Sequence, residues 1–287
     1  MIPSYRWPLF SRWFSGRVQA QLRSGFSRVR VRGLDQARVA TRDRSTLWVA
    51  NHTSWWDPMV AIALGEWLEL ETYAMMAQEH LERLAFFGLV GAFGVRRGHR
   101  RDGAEVTRYA ASLLARRGRA VWIFPQGDVR PASEALRFAG GAASIHRRAP
   151  GTSVIPVGLR YVLGDDPRPE LWISIGPPCD GPETGAAGTA VLEAAVASCL
   201  RAIDEVPGEF TLRWAPRATG GFGTRMLSGF ARWVVRLFGG RLQAAVGTDS
   251  QRAIGPAHAA AETDPREHGE QHEIGEPRVE QQARSDS

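Results

Sequence analysis

Short apolar runs alternate with longer stretches of helical periodicity from about Val29 to Pro216, and no other feature of the chain restricts its fold as strongly. Strands are expected near 29–32, 47–50, 73–77, 120–124, 154–159 and 171–175. Helices are expected between them, notably over 102–117 and 189–203. The first has Asp102 as a plausible cap, with Val106, Tyr109, Ala110, Leu113 and Leu114 at three- and four-residue steps. This alternation predicts an α/β domain: a central mixed, largely parallel sheet flanked by helices. A chain of 287 residues has room for one such domain with extensions, or for two small ones.

The two ends differ from this middle. Residues 1–28 mix Tyr5, Trp7, Phe10, Trp13, Phe14, Val18, Leu22 and Phe26 with arginines, and the first 32 residues hold seven arginines and no acid. The 10/13/14/18/22 spacing predicts a basic amphipathic helix with rings suited to a membrane surface. Residues 29–216 are then the main domain, and 217–247 carry a second such helix. There Met226, Leu227, Phe230, Trp233, Val234, Leu237 and Phe238 oppose Arg225, Arg232 and Arg236. Residues 248–287 lose apolar content and hold nine acidic residues against four arginines, the composition of a disordered acidic tail.

The formal charge is +6, and all 36 basic residues are arginine. A basic body with an acidic tail points to an anionic partner such as a phospholipid surface or a phosphorylated substrate. Nucleic acid fits poorly, because no helix-turn-helix or base-stacking pattern accompanies the arginines. Cys179 and Cys199 lack the spacing of metal ligands or of a disulfide framework, so no metal site is expected. No run approaches 18 uninterrupted apolar residues, and the N-terminus has no apolar stretch of signal-peptide length. A protein peripheral to the cytoplasmic face of a membrane is the expectation.

Chemistry concentrates in Asn51-His52-Thr53-Ser54-Trp55-Trp56-Asp57-Pro58, at the exit of the apolar run 46–50. A strand fixes the backbone there while the following loop aims the side chains. A short loop can fold the Asp57 carboxylate onto one imidazole nitrogen of His52, leaving the other free to take a proton from a hydroxyl. The same residues also suit a structural role, with Asp57 capping a helix that begins at Pro58. Trp55 and Trp56 suit an acyl channel wall or the core equally well.

Three further clusters come after it in order. Gly91-Ala92-Phe93-Gly94-Val95-Arg96-Arg97-Gly98 is a glycine-rich turn with adjacent arginines able to grip a phosphate. Phe124-Pro125-Gln126-Gly127-Asp128-Val129-Arg130 is a tight loop at a strand end. Val154-Ile155-Pro156-Val157 is an apolar run whose proline marks an edge, a bulge or a pocket wall.

In this order, the four segments resemble the blocks of the lysophospholipid (glycerolipid) acyltransferase superfamily, best known for 1-acylglycerol-3-phosphate O-acyltransferase. Asn51, His52, Ser54 and Asp57 match its N-H-x-S-x-x-D block, and Arg97 falls on the arginine of its second. Residues 124–127 are similar to F-P-E-G with Gln126 for the glutamate, and 154–157 to the block carrying Pro156. Weaker echoes lie at 77–81 and 138–142. The threonine and arginine that follow F-P-E-G are here Asp128 and Val129, with Arg130 one place late.

The resemblance, which covers about residues 30–180, implies an HX4D-type O-acyltransferase with a glycerolipid acyltransferase-like fold. His52 would be the general base and Asp57 its orienting carboxylate. Arg97, with Arg96 or Arg130 in support, would hold a phosphate or other anion, and Gln126 and Gly127 would face the acceptor. Ser54, Pro125 and Pro156 would shape the site. The implied donor is acyl-CoA or acyl carrier protein, with no bound cofactor, and the implied acceptor is a lysophospholipid. Because Gln126 brings no charge, a glycosylated or amino-headgroup lipid is an alternative acceptor, and an inactive lipid-surface relative a third reading.

Overall fold

The expected strands form because their side chains have two buried faces to fill. All five residues of β2 (Thr46–Ala50) are buried, and β5 (Arg119–Ile123) is buried after its first residue. A continuous apolar run is what a parallel strand covered on both sides requires. In the computed structural model, residues 1–96, 98, 100–179 and 185–214 are described. Arg97, the amphipathic stretch 217–247 and the tail 248–287 lie outside the described residues.

The remaining elements are α1 (Pro8–Gly25), β1 (Arg28–Arg32), α2 (Leu34–Thr41), α3 (Asp57–Trp67), β3 (Glu71–Ala77), α4 (Gln78–Arg83), a 3-10 turn at Ala85–Val90, β4 (Ala92–Val95), α5 (Arg100–Leu114), α6 (Gly141–Arg148), β6 (Ser153–Val162), β7 (Glu170–Ile175), α7 (Gly185–Glu205) and β8 (Thr211–Trp214). They form one eight-stranded sheet in the order β4-β3-β5-β2-β6-β7-β1-β8. Five neighbouring pairs are parallel; only β6 with β7 and β1 with β8 run antiparallel. The expectation of a mixed, largely parallel sheet flanked by helices holds.

Two strands were not expected. Edge strand β4 has four residues including Gly94, and its glycines read as a turn. Edge strand β8 is also four residues long and mostly exposed, so it lacks an apolar run.

Each face of the sheet carries its own core. Trp48 and Trp122 stack at 4.9 Å on one face, under α1 and α3 with Leu22, Phe26, Met59 and Leu64. Leu47, Val49, Val121 and Ile123 point to the other face, against Val106 and Ala110 of α5, Ile145 of α6, and Leu192 and Val196 of α7. Helix α7 is long and apolar enough to cross a membrane by length and composition. Its buried stripe Leu192, Val196, Cys199 and Ile203 is nonetheless packed into this domain. Burial raises the Cys199 thiol to about 11, which keeps it protonated and inert.

Helix α1 buries most of the face its spacing marks, with Phe10, Phe14, Val18 and Leu22 packed on the core, and adds two small residues to it. Ser11, Ser15, Val18 and Leu22 face inward, while Leu9 and Trp13 stay outside, 73% and 61% exposed. Small serines let α1 approach its neighbours closely, beside the partly buried rings of Phe10 and Phe14. Val18, Leu22 and Phe26 belong to the main core, so residues 1–28 pack continuously with the sheet, with no break between them.

Candidate active site

Strands β5, β2 and β6 lie side by side and parallel, so their C-terminal ends meet at one edge of the sheet. Open α/β sheets bind ligands at that edge. The last backbone pair between β2 and β6 is Ala50 with Val157. Asn51 continues the ladder with its side chain: Nδ2 donates to the Leu159 carbonyl at 2.9 Å, and Oδ1 accepts the Leu159 N–H at 2.8 Å. The backbone is thereby free to turn away from the sheet directly into His52.

His52 is clamped from three sides. Its Nδ1 lies 2.7 Å from Asp57 Oδ2. Its backbone N–H donates to Gln126 Oε1 at 2.7 Å, and its carbonyl accepts the Arg130 N–H at 2.8 Å. The Phe124 ring stacks on the imidazole with centroids 4.8 Å apart. With Asp57 taking the Nδ1 proton, the neutral ring presents the Nε2 lone pair. Among the described residues Nε2 has no hydrogen-bond partner.

Asp57 is fully buried and is the first residue of α3, followed by Pro58. Its side chain does not cap the helix it starts and turns back onto the loop before it. Oδ2 accepts the backbone N–H groups of Thr53 at 2.7 Å and Ser54 at 2.9 Å as well as His52, and Oδ1 accepts the Tyr161 hydroxyl at 2.5 Å. A buried carboxylate needs such partners to stay charged. Ser54 is a loop-shaping residue: its hydroxyl accepts the Trp56 N–H and its carbonyl the Asp57 N–H, both at 3.1 Å.

The loop after β5 makes a hydrogen-bonded turn, Gly127 N–H to the Phe124 carbonyl at 3.0 Å. Gly127 sits at φ +76°, a left-handed conformation that glycine adopts without steric cost. The Pro125 carbonyl accepts the Ala139 N–H at 2.9 Å and fixes the loop to the segment entering α6. Gln126 thus holds the His52 amide with a neutral side chain.

His52 opens onto a cavity of about 400 Å³. Its walls are mostly apolar: Ala61 and Ile62 of α3, Met75 of β3, Phe87, Val90 and Ala92. Gly91 at φ +113° forms the bend into β4. A Cβ there would lie 2.2 Å from the Thr72 carbonyl, so only glycine lets this wall close. Trp55 lines the cavity and is 56% exposed, whereas Trp56 packs on Phe26 at 5.1 Å. The two tryptophans thus divide between cavity wall and core.

A second concavity of about 280 Å³ is lined by Gln126, Arg130, Glu134, Ala135 and Arg137. Arg137 and Glu134 were not picked out from the sequence, because arginines and glutamates are common on any surface. Arg96 is engaged elsewhere: its Nε lies 2.5 Å from Asp102 Oδ2 at the start of α5. Pro156 lines neither concavity. It lies inside β6, opposite Val49, and its carbonyl accepts the Gly176 N–H at 2.9 Å where β7 has ended. Its missing donor falls beyond the ladder with β7, which is how an interior strand accommodates it. Among the described residues no group of three or more His, Cys, Asp or Glu side chains could hold a metal ion.

Tyr161 is a further site residue that the sequence did not reveal. It stands 104 positions from Asp57, and nothing local marks a tyrosine near the end of a strand.

Residues 28–160 match the family model Acyltransferase. No curated protein sequence is matched by the chain. Among solved structures, the chain is similar to the 1-acyl-sn-glycerophosphate (LPA) acyltransferase PlsC of Thermotoga maritima. The identity is 17%, the match covers 71% of this chain and 81% of that one, and the TM-score is 0.50. At such identity the likeness bears on the fold. The family match takes in His52, Asp57 and the loop after β5, so residues 28–160, which carry the site, are similar to the Acyltransferase family.

Proposed function

We propose that the protein transfers a fatty acyl group from an acyl thioester, acyl-CoA or acyl carrier protein, to a hydroxyl of a lysophospholipid or related lipid. The observation that carries this reading is the His52–Asp57 pair at 2.7 Å opening onto a mostly apolar cavity of about 400 Å³. His52 Nε2 takes the acceptor's proton as its oxygen attacks the thioester carbonyl, and Asp57 stabilises the imidazolium that forms. The nucleophile belongs to the acceptor, so no enzyme serine is needed. The apolar cavity suits the acyl chain. The polar concavity suits the acceptor headgroup, with Arg130 and Arg137 as cations and the Gln126 amide as a neutral donor. Arg97 remains a candidate anion-binding residue.

A panel of lysophospholipids, lysoglycolipids and amino-headgroup lipids, assayed with acyl-CoA and with acyl carrier protein, tests this. Formation of the acylated product from one class identifies the acceptor. No product from any pairing contradicts the reading and favours a non-catalytic lipid-surface protein. Ala61→Phe, which fills the cavity, is expected to lower kcat/KM for long-chain donors on the order of tenfold relative to short ones. Equal loss for every chain length counts against an acyl chain in this cavity.

The outward side of α1 supports a membrane surface as partner. Tyr5, Trp7, Leu9 and Trp13 are exposed beside Arg12 and Arg17. Ring contacts run from Trp7 through Phe10 and Phe14 to Phe87, which lines the cavity. Aromatic and basic residues together bind anionic headgroups. Replacing Trp7 and Trp13 by serine is expected to weaken binding to anionic vesicles about tenfold without unfolding the protein, since neither ring is buried. Unchanged sedimentation with vesicles contradicts this.

A further inference from the structure

The two oxygens of Asp57 have different partners. Oδ2 serves the His52 ring and two backbone amides; Oδ1 accepts the Tyr161 hydroxyl at 2.5 Å. Tyr161 comes from the far part of β6, beyond the last pair with β2 and two residues past the Leu159 amide that Asn51 binds. Its ring packs on Phe26 at 5.7 Å, and Phe26 packs on Trp56. Burial, and then the charge of Asp57, push the phenol well above its usual range. Around neutral pH it is therefore a permanent donor.

We propose that Tyr161 is a positioning residue for acyl transfer, its hydroxyl holding Asp57 turned toward His52 and limiting how strongly that carboxylate attracts a proton to the imidazole. The proposal rests on the reading of His52 as general base. A short hydrogen bond to a charged oxygen is of the strong class and disperses the negative charge. Without it, Oδ1 of a carboxylate with no solvent exposure loses its side-chain donor. Asp57 then draws a proton more firmly onto His52, and a protonated imidazole cannot act as base. The other titratable or charged groups near the pair are Arg130, whose N–H binds the His52 carbonyl, and those that share the cavity lining with His52: Tyr73 of β3, His80 and Arg83 of α4, and Asp128 of the loop after β5. On the Tyr161 side the neighbours are Phe26, Trp56 and the Ser54 hydroxyl, which are neutral.

The test is an NMR titration of His52 in the full chain, its ring signals assigned by their loss in His52→Asn. Tyr161→Phe keeps the ring against Phe26 and removes only the hydroxyl. The His52 midpoint is expected to rise by about half a pH unit or more. In turnover, the acid limb of the kcat profile should move up with it and kcat at neutral pH fall by up to about threefold for each half unit, with KM unchanged. A loss of packing alone would move the melting temperature and leave the midpoint in place. An unchanged midpoint in folded Tyr161→Phe overturns the proposal. Should that variant not fold, 3-fluorotyrosine at position 161 alone offers a more acidic, stronger donor and is expected to lower the midpoint; no shift there overturns the proposal equally. The titration needs no turnover. A wild type that transfers no acyl group would defeat the functional reading while Tyr161 was still decided.

Discussion

Asp57→Asn is expected to lower kcat by roughly 10³–10⁴-fold, with KM for the donor nearly unchanged. The amide is close in size to the carboxylate, so the change is electrostatic and tautomeric. Asp57 Oδ2 accepts three N–H groups, from His52, Thr53 and Ser54, and an amide NH₂ in that place faces donors with a donor. If the side chain flips to avoid this, the NH₂ meets the Tyr161 hydroxyl, which can still rotate to accept. His52 then keeps an acceptor but loses the charge that stabilises its protonated form in the transition state. Steady-state kinetics of the purified variant checks this, and a loss of less than tenfold would show that Asp57 only shapes the loop.

Asn51→Leu is expected to be the most damaging conservative change for stability. Asn51 is 1% exposed and satisfies both the N–H and the carbonyl of Leu159 in the interior of the sheet. Leucine leaves both groups buried and unpaired, and each such loss costs about 1–3 kcal/mol. A total on the order of 3 kcal/mol, read as a lower midpoint in urea unfolding at unchanged slope, is the expected result. Activity should fall further than stability accounts for, because Asn51 sets the point where the chain leaves β2 toward His52. A variant as stable as wild type would mean that water or a backbone shift replaces the amide.

How much of this was legible in the sequence depended on separation along the chain. His52 and Asp57 are five residues apart, and one loop brings them together, so spacing and residue type allowed their pairing beside a capping role for Asp57. The strand bearing Leu47 and Val49 was visible because burial on both faces demands an unbroken apolar run. Gln126 was recognisable as a loop residue, but its grip on the His52 amide depends on β2 and β5 being parallel neighbours, which no local pattern encodes. Tyr161 was invisible for the same reason. The cavity walls come from α3, β3, the turn at Ala85–Val90 and β4, and its shape is a property of their packing. Helix α1 departs from its apolar periodicity only in detail: Phe10, Phe14, Val18 and Leu22 pack on the core, while Trp13 stays outside and the small Ser11 and Ser15 are buried.

The most direct test of the account is the rate of free thiol release from acyl-CoA, with a saturating lysophospholipid, by wild type and by His52→Ala. The predicted result is acceptor-dependent release by wild type that falls roughly 10²–10⁴-fold in the variant while its melting temperature is retained. Release by His52→Ala at the wild-type rate would contradict the assignment of His52 as the base.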